Sequence, residues 1–344
     1  MTAPSISPAT TGRPAHVEAF RRTNRWGWPE LVFWVLAVAA FFLFPLRLPM
    51  LTQMVTLGLF ALSLDLILGY AGIVSLGHAA FFGVGAYAAG ILAAHGWSEP
   101  VLGVVIAAAI TAVLGFATSF LVLRGRDLTR LMVTLGIAML LLELANQQRW
   151  LTGGADGLQG MQVSDVLGLF PFDLYGKTAY IYTLVVAFIL FLVARRVVNS
   201  PFGLSLRAAK SNRLRMGALG APVDRRLVVI YTLGAAYAGI AGALLAQTTQ
   251  FVSLDVLSFD RSAEVLLVLI IGGPGFLYGG FVGAIVYEVM YEWLAGITAQ
   301  YWTFWLGLAL VVLVMFARNG ILGIVTSTLH GMRRRRAKGQ GDAP

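Results

Sequence analysis

The chain has 344 residues, 58% hydrophobic and only 12% charged, with a formal charge of +9 and no cysteine. An ordinary soluble domain holds about 25% charged residues, so a soluble globular protein is excluded, as are disulfides and thiol chemistry. Several apolar runs reach the roughly 20 residues needed to cross a bilayer core. They predict an all-α polytopic transmembrane bundle of about 8–10 spans, including short or broken helices, rather than a barrel of short alternating segments.

In chain order, residues 1–26 form a polar cytoplasmic tail. Arg21, Arg22 and Arg25 resemble the basic region of a signal peptide. The apolar run from Leu31 is long, ends at Pro45 and lacks a small-residue cleavage site, so it reads as a retained anchor. The predicted spans are 28–46, 51–70, 72–95, 100–123, 131–149, 178–198, 227–247, 262–273, 275–295 and 301–318. The eighth is too short to cross alone and reads as a broken or re-entrant helix. The membrane domain therefore covers 27–318, with a cytoplasmic loop at 195–226, and residues 319–344 form a basic cytoplasmic tail.

With the N-terminus inside, 21 of the 25 Lys and Arg residues fall on the cytoplasmic side; Arg47, Arg149, Lys177 and Arg261 fall outside. The positive-inside rule fixes that orientation, with both termini cytoplasmic. Trp26 and Trp28 at one edge, and Tyr301, Trp302 and Trp305 at another, suit an interfacial aromatic belt.

The loop Arg195–Arg226 carries eight basic residues and one acid. Its middle predicts one amphipathic helix, with Leu204, Ala208, Leu214 and Leu219 set among Arg207, Lys210, Arg213 and Arg215. That pattern suits a handle gripped by another protein. On the other side, the longest external loop runs from Arg149 to Lys177 and holds Asp156, Asp165 and Asp173. It reads either as a docking loop for a soluble partner or as a covering loop.

Motifs for chemistry fail on context. Gly176-Lys177-Thr178 resembles the end of a phosphate-binding loop, but the position five residues before Gly176 is Pro171. Gly83, Gly85 and Ala88 fit a loose dinucleotide pattern inside a membrane span with no preceding strand. The four histidines, His16, His78, His95 and His330, have no metal-ligand spacing. No catalytic residue, metal or bound cofactor is expected.

Two glycine-rich breaks stand out, Leu68–Gly83 and Ile271–Gly280, with Gly275, Gly279 and Gly283 recurring every four residues. The stripe reads as close helix packing, and the two turns read equally as packing or as broken pathway helices. A charged group at the centre of a span costs about 2.5–3.5 kcal/mol on insertion scales, so ionisable residues there should face the bundle interior or water. The candidates are Asp65, His78, Glu143 and Glu264, with Ser75 beside them in the first break. For Glu264, stabilisation of a helix N-terminus capped by Ser262 is an equal reading, and for His78 a buried hydrogen bond is the preferred reading over a ligand contact. Glu288 and Glu292, one turn apart near an outer end, read as solvated.

Four blocks occur in order: LGYAGIVSLGHAAFFGVGAY (68–87), TGGADGLQG (152–160), the cytoplasmic segment ending GALG (217–220), and SFDRSAEVLLVLIIGGPG (258–275). Together they resemble the membrane subunit of branched-chain amino-acid ABC importers, the M-type permease of the Liv system, over about residues 50–325. The resemblance implies a bundle related to the vitamin B12 and ribose permeases. It also implies a homologous second permease, two cytoplasmic ATPases that hydrolyse ATP, and a periplasmic amino-acid-binding protein. In that family the segment matching 204–220 is a coupling helix seated in an ATPase groove, which transfers that role to Arg207, Ala208, Ala209, Ala218, Leu219 and Gly220. Lys210, Arg213 and Arg215 join them by charge.

The chain departs from the family in several places. Ser211-Asn212-Arg213 lacks the usual acids, and an Ala-Glu pair is missing near Met216-Gly217. Asp65 replaces an asparagine, Leu254 a proline and Met139 a glutamate. An almost purely basic handle implies an acidic ATPase groove. The same machine with urea, short amides or a sugar as cargo is the nearest rival. An ion-coupled secondary transporter using Asp65 and Glu264, and a non-transporting scaffold, stand further off.

Overall fold

The computed structural model describes residues 28–297 except Arg126, Leu167, Leu169 and Leu174, together with single residues between 304 and 323. The N-terminal tail, most of the span predicted at 301–318 and most of the C-terminal tail lie outside the described residues. Among the described residues there is no strand; two isolated bridges join Leu158 to Val252 and Val166 to Phe170.

Helix α1, Trp28–Leu43, stands as the first apolar helix. The main bundle follows. Helix α2, Leu48–Asp65, continues through a π-helical turn, Leu66–Tyr70. It is succeeded by α3 (Ala79–Ala94), α4 (Pro100–Val122), α5 (Asp127–Gln147) and α6 (Lys177–Val198). Two short polar helices, α7 (Pro201–Ser211) and α8 (Arg213–Ala218), lead into α9 (Val223–Thr249), α10 (Phe259–Gly272) and α11 (Gly279–Ile297). Among the described residues, five helices are long and apolar enough to span a membrane: Leu48–Tyr70, Pro100–Val122, Leu128–Gln147, Lys177–Val198 and Val223–Thr249.

The core forms around α9, which packs mainly on α4, α3 and α2. Small residues permit this close approach. A Cβ added at Gly85 of α3 would strike the backbone of Gly239, one at Gly242 would strike the Phe82 carbonyl, and one at Gly115 of α4 would strike Ala235. Between these contacts Tyr231 is fully buried, edge-to-face with Phe81 at 5.7 Å between ring centroids. Helix α5 differs: only 11% of its apolar window is buried, and Glu143, exposed, accepts a 2.9 Å hydrogen bond from Gln147.

The first third of the span predicted at 72–95 is not helical. Residues 71–78 carry no helix, Gly72 adopts φ 71°, and the helix starts only at Ala79. The segment is held from the side, since Leu76 N donates to Thr134 Oγ1 at 3.2 Å and a Cβ at Gly77 would meet the Thr134 carbonyl. Its apolar residues satisfy a hydropathy window as well as a helix would, which is why the sequence reads it as one span. The second break mirrors it: α10 has 14 residues, about 21 Å at 1.5 Å per residue, short of the roughly 30 Å hydrocarbon core, and Gly273 and Gly275 take φ of 109° and 91° before α11.

The predicted single amphipathic helix in 195–226 is two helices. Asn212 leaves the helical region (φ −158°, ψ 99°) and its side chain accepts from Arg215 N at 2.9 Å, so it caps α8 while ending α7. Asparagine competes well for this position. The sequence pattern of leucines and bases continues smoothly through it and hides the break.

Candidate functional site

Two features of the bundle carry chemistry, a junction at the end bearing α7 and α8 (the basic end) and a cleft toward the opposite end. At the basic end the two glycine-rich breaks meet. Asp65 is fully buried, and its Oδ1 accepts a 2.6 Å hydrogen bond from Gly275 N. Tyr70 Oη donates to the Gly275 carbonyl at 3.0 Å, so both polar groups of that residue are held by the π-turn region of α2. Single-turn π elements are frequent at functional sites. Gly69 is required here, because a Cβ would collide with Asp65 Oδ1 and press on Gly275 N.

The polar loop reaches this junction directly. Lys210 Nζ donates to the Gly69 carbonyl at 2.7 Å, and its stem lies against Gly72. Carbonyls at a helix C-terminus lack intrahelical partners and favour a cation, so Lys210 closes the end of α2. The Arg207 guanidinium lies 5.4 Å from the Tyr70 ring centroid and donates to the Val198 carbonyl at 3.0 Å. Ala209 is buried against the bundle. The other handle residues are exposed: Ala218, Gly220 and Arg215 point away, Arg213 reaches along the surface to Asp224, and Leu204, Leu214 and Leu219 are 56%, 87% and 76% exposed. An exposed leucine row flanked by bases is an unsatisfied face on a polar segment. Ala208 sits at its margin, half-buried.

The first break is tied to the second once more, deeper in the bundle. Ala79 N, an unpaired donor at the start of α3, donates to Ser262 Oγ of α10 at 3.0 Å. Ser262 therefore caps α3 in trans and does not cap its own helix, whose N-cap is Ser258, accepting from Arg261 N at 3.2 Å. His78 is fully buried, with Nε2 2.8 Å from Ser63 Oγ and its ring stacked on Phe60 at 5.6 Å. Ser75 is buried in the extended segment.

The cleft, of about 670 Å³, opens among α2, α10, α11 and the turn before α10. Leu57, Phe60, Phe82 and Leu245 give it apolar surface, and Asp255, Asp260, Arg261, Glu264 and Glu288 give it charge. Four acids thus face one base. That base is already paired, since Arg261 forms an ion pair with Glu264 one turn along α10 and lies 5.9 Å from the Phe82 ring centroid. The cleft is negative with an apolar floor, a combination fitted to a small solute with a cationic group and a hydrocarbon body. Above it, Arg47 and Glu292 close an exposed ion pair at 3.0 Å between the start of α2 and the end of α11.

Of the pathway candidates, Glu264 lines the cleft, whereas Asp65, Ser75, His78 and Glu143 do not. His78 lies one ring behind it, against Phe60. Sequence reasoning missed Glu288 as a lining residue, and Asp255 and Asp260 with it. Glu288 is half-buried on the inner face of α11, and its spacing of one turn from Glu292 suggested a shared solvated edge.

A bundle of membrane-length helices, interrupted by two paired breaks and enclosing a solute-sized cleft, defines a multi-pass membrane transport permease. The chain belongs to the family described as the branched-chain amino acid transport system permease component, whose model matches residues 46–317. It is similar to the high-affinity branched-chain amino acid transport system permease protein LivM of Escherichia coli, 26% identical over 305 residues, covering 81% of this chain and 70% of that protein. The LivM protein of Salmonella typhimurium matches to the same extent. A probable branched-chain amino acid transport permease protein LivM of Methanocaldococcus jannaschii is 25% identical over 264 residues, covering 67% of this chain and 76% of that protein. No solved structure matches the chain. As a permease of an ABC transport system, the chain works with ATPase and binding-protein subunits.

Proposed function

We propose that this chain forms half of an inner-membrane pathway for leucine, isoleucine, valine or similar amino acids. It pairs with a homologous second permease and is driven by two cytoplasmic ATPases and fed by a periplasmic binding protein. The cleft carries this reading. Its hydrocarbon wall at Leu57, Phe60, Phe82 and Leu245 suits an aliphatic side chain, and its surplus of carboxylates suits an α-ammonium. A pathway for urea, amides or sugars has no use for that charge, and an exchange of Asp65 protons or ions is disfavoured by its engagement with Gly275.

The basic end faces the cytoplasm in this account, which matches the excess of Lys and Arg there. The cleft then belongs to the outer half, closed below by the junction of the two breaks. The exposed face of α7 and α8, Leu204, Arg213, Leu214, Arg215, Ala218, Leu219 and Gly220, seats in an acidic ATPase groove. Lys210 and Arg207 face the other way and pass motion of that groove to Gly69 and Tyr70, and so to Gly275 and α11. The solute's covalent structure is unchanged, and the chain itself needs no catalytic group and no cofactor. ATP hydrolysis by the partner subunits supplies the energy. Reconstitution with the ATPases and binding protein tests the assignment: leucine, isoleucine or valine should stimulate ATP hydrolysis several-fold, and urea or a sugar should not. Stimulation by urea or sugar alone would move the chain to another cargo.

A further inference from the structure

A second cavity, of about 570 Å³, lies on the outer surface of the bundle at the basic end, between α4 and α9. The transport account makes no use of it. Its walls are Phe116, Phe120, Leu123, Val228 and Val229, and its rim is Arg124, Arg213 and Arg225 with Asp224. Arg213 is bonded to Asp224. Among the described residues Arg124 and Arg225 have no hydrogen bond or ion pair with the chain, so two positive charges stand over an apolar groove. Phe116 and Phe120, one turn apart and edge-to-face at 5.0 Å, are 50% and 53% exposed, and Val113 a further turn back is 69% exposed. They continue the groove along α4, away from the guanidiniums, as an apolar lane.

We propose that this groove is a binding site for one anionic phospholipid of the leaflet next to the basic end. Its phosphate sits between Arg124 and Arg225, and one acyl chain lies along Phe120, Phe116 and Val113. The ligand chemistry follows from the arrangement. Guanidiniums match phosphate oxygens in a fixed fork, and basic pockets between membrane helices hold anionic headgroups. A free phosphate would use the rim and leave the lane empty, whereas a lipid fills both. The site also touches the handle, because Arg213 belongs to α8 and Asp224 to the first turn of α9. Headgroup charge there competes with Asp224 for Arg213, placing the lipid beside the segment offered to the ATPases.

The test is native mass spectrometry of the complete complex, released from detergent containing phosphatidylglycerol, phosphatidylcholine or inorganic phosphate. The expected result is one retained phosphatidylglycerol at this permease chain, no retained phosphatidylcholine, and no displacement by millimolar phosphate. Arg124→Gln with Arg225→Gln should weaken retention about 30-fold, at about one kcal/mol per basic residue. Arg124→Lys with Arg225→Lys, which keeps the charge but not the fork, should recover only part of it and controls for folding. Equal retention of the two lipids, unchanged retention in the glutamine variant, or displacement by inorganic phosphate would each overturn the proposal. So would a cross-link from Phe120→Cys to a neighbouring permease chain, since protein would then cover the groove.

Discussion

Lys210→Met isolates the inward half of the handle. The substitution keeps the aliphatic stem that packs on Gly72 and removes the ammonium that caps the Gly69 carbonyl at 2.7 Å. Hydrogen bonds to charged groups contribute about 1.5–3 kcal/mol, and a cation at an exposed helix C-terminus about 0.3–1 kcal/mol. Lys210 is exposed along much of its length, so the low end applies, about 1.5 kcal/mol, or roughly tenfold in the equilibrium between attached and detached handle. The face holding Arg213, Arg215 and the exposed leucines is untouched. Proteoliposomes should therefore show normal ATPase co-purification, near-normal basal ATP hydrolysis and about tenfold less solute carried per ATP. Lys210→Arg, which retains a cation, should recover much of the loss. An unchanged transport-to-hydrolysis ratio in Lys210→Met would refute the inward coupling, and loss of the ATPases would place Lys210 on the docking face instead.

Glu264→Gln and Glu288→Gln should each lower uptake roughly tenfold with the complex intact by size-exclusion chromatography; uptake at the wild-type rate in both would remove the carboxylates from the pathway. Asp65→Asn keeps an oxygen acceptor for Gly275 N and should preserve folding, whereas Asp65→Leu leaves that buried donor unpaired at about 1–3 kcal/mol. Thermal denaturation should rank wild type and Asp65→Asn together, above Asp65→Leu, and equal melting of all three would contradict the junction. Arg213→Glu with Arg215→Glu should abolish ATPase co-purification while the chain still inserts in the membrane, and retention of the ATPases would remove the acidic groove.

The long helices were legible because length and apolarity suffice for them: α4, predicted at 100–123, is Pro100–Val122, and α6, predicted at 178–198, is Lys177–Val198. Hydropathy cannot separate an irregular apolar segment from a helix, so residues 72–78 read as part of a span. Gly72 and Gly77 were visible as glycines, but their reasons, a left-handed backbone and contact with Thr134, lie elsewhere in the chain. The handle was legible as a charged interruption, whereas its division at Asn212 and the opposed directions of Lys210 and Arg213 were not. Asp65 was recognisable as costly, and the partner that makes it tolerable, Gly275, is 210 residues away. The same distance effect hid the cleft: Glu264 and Glu288 come from different helices and acquire a common purpose only when α10 and α11 fold back on α2.

The central claim is that a cleft in the outer half opens and closes as the ATPases act on the opposite end. The chain has no cysteine, so Glu288→Cys introduces a single thiol into the cleft wall. In the assembled complex this thiol should react with a membrane-impermeant maleimide added from the outer side in the resting state, and become protected when the ATPases are trapped with ATP and vanadate. Equal labelling in both states, or labelling only from the side of the basic loop, would contradict the account.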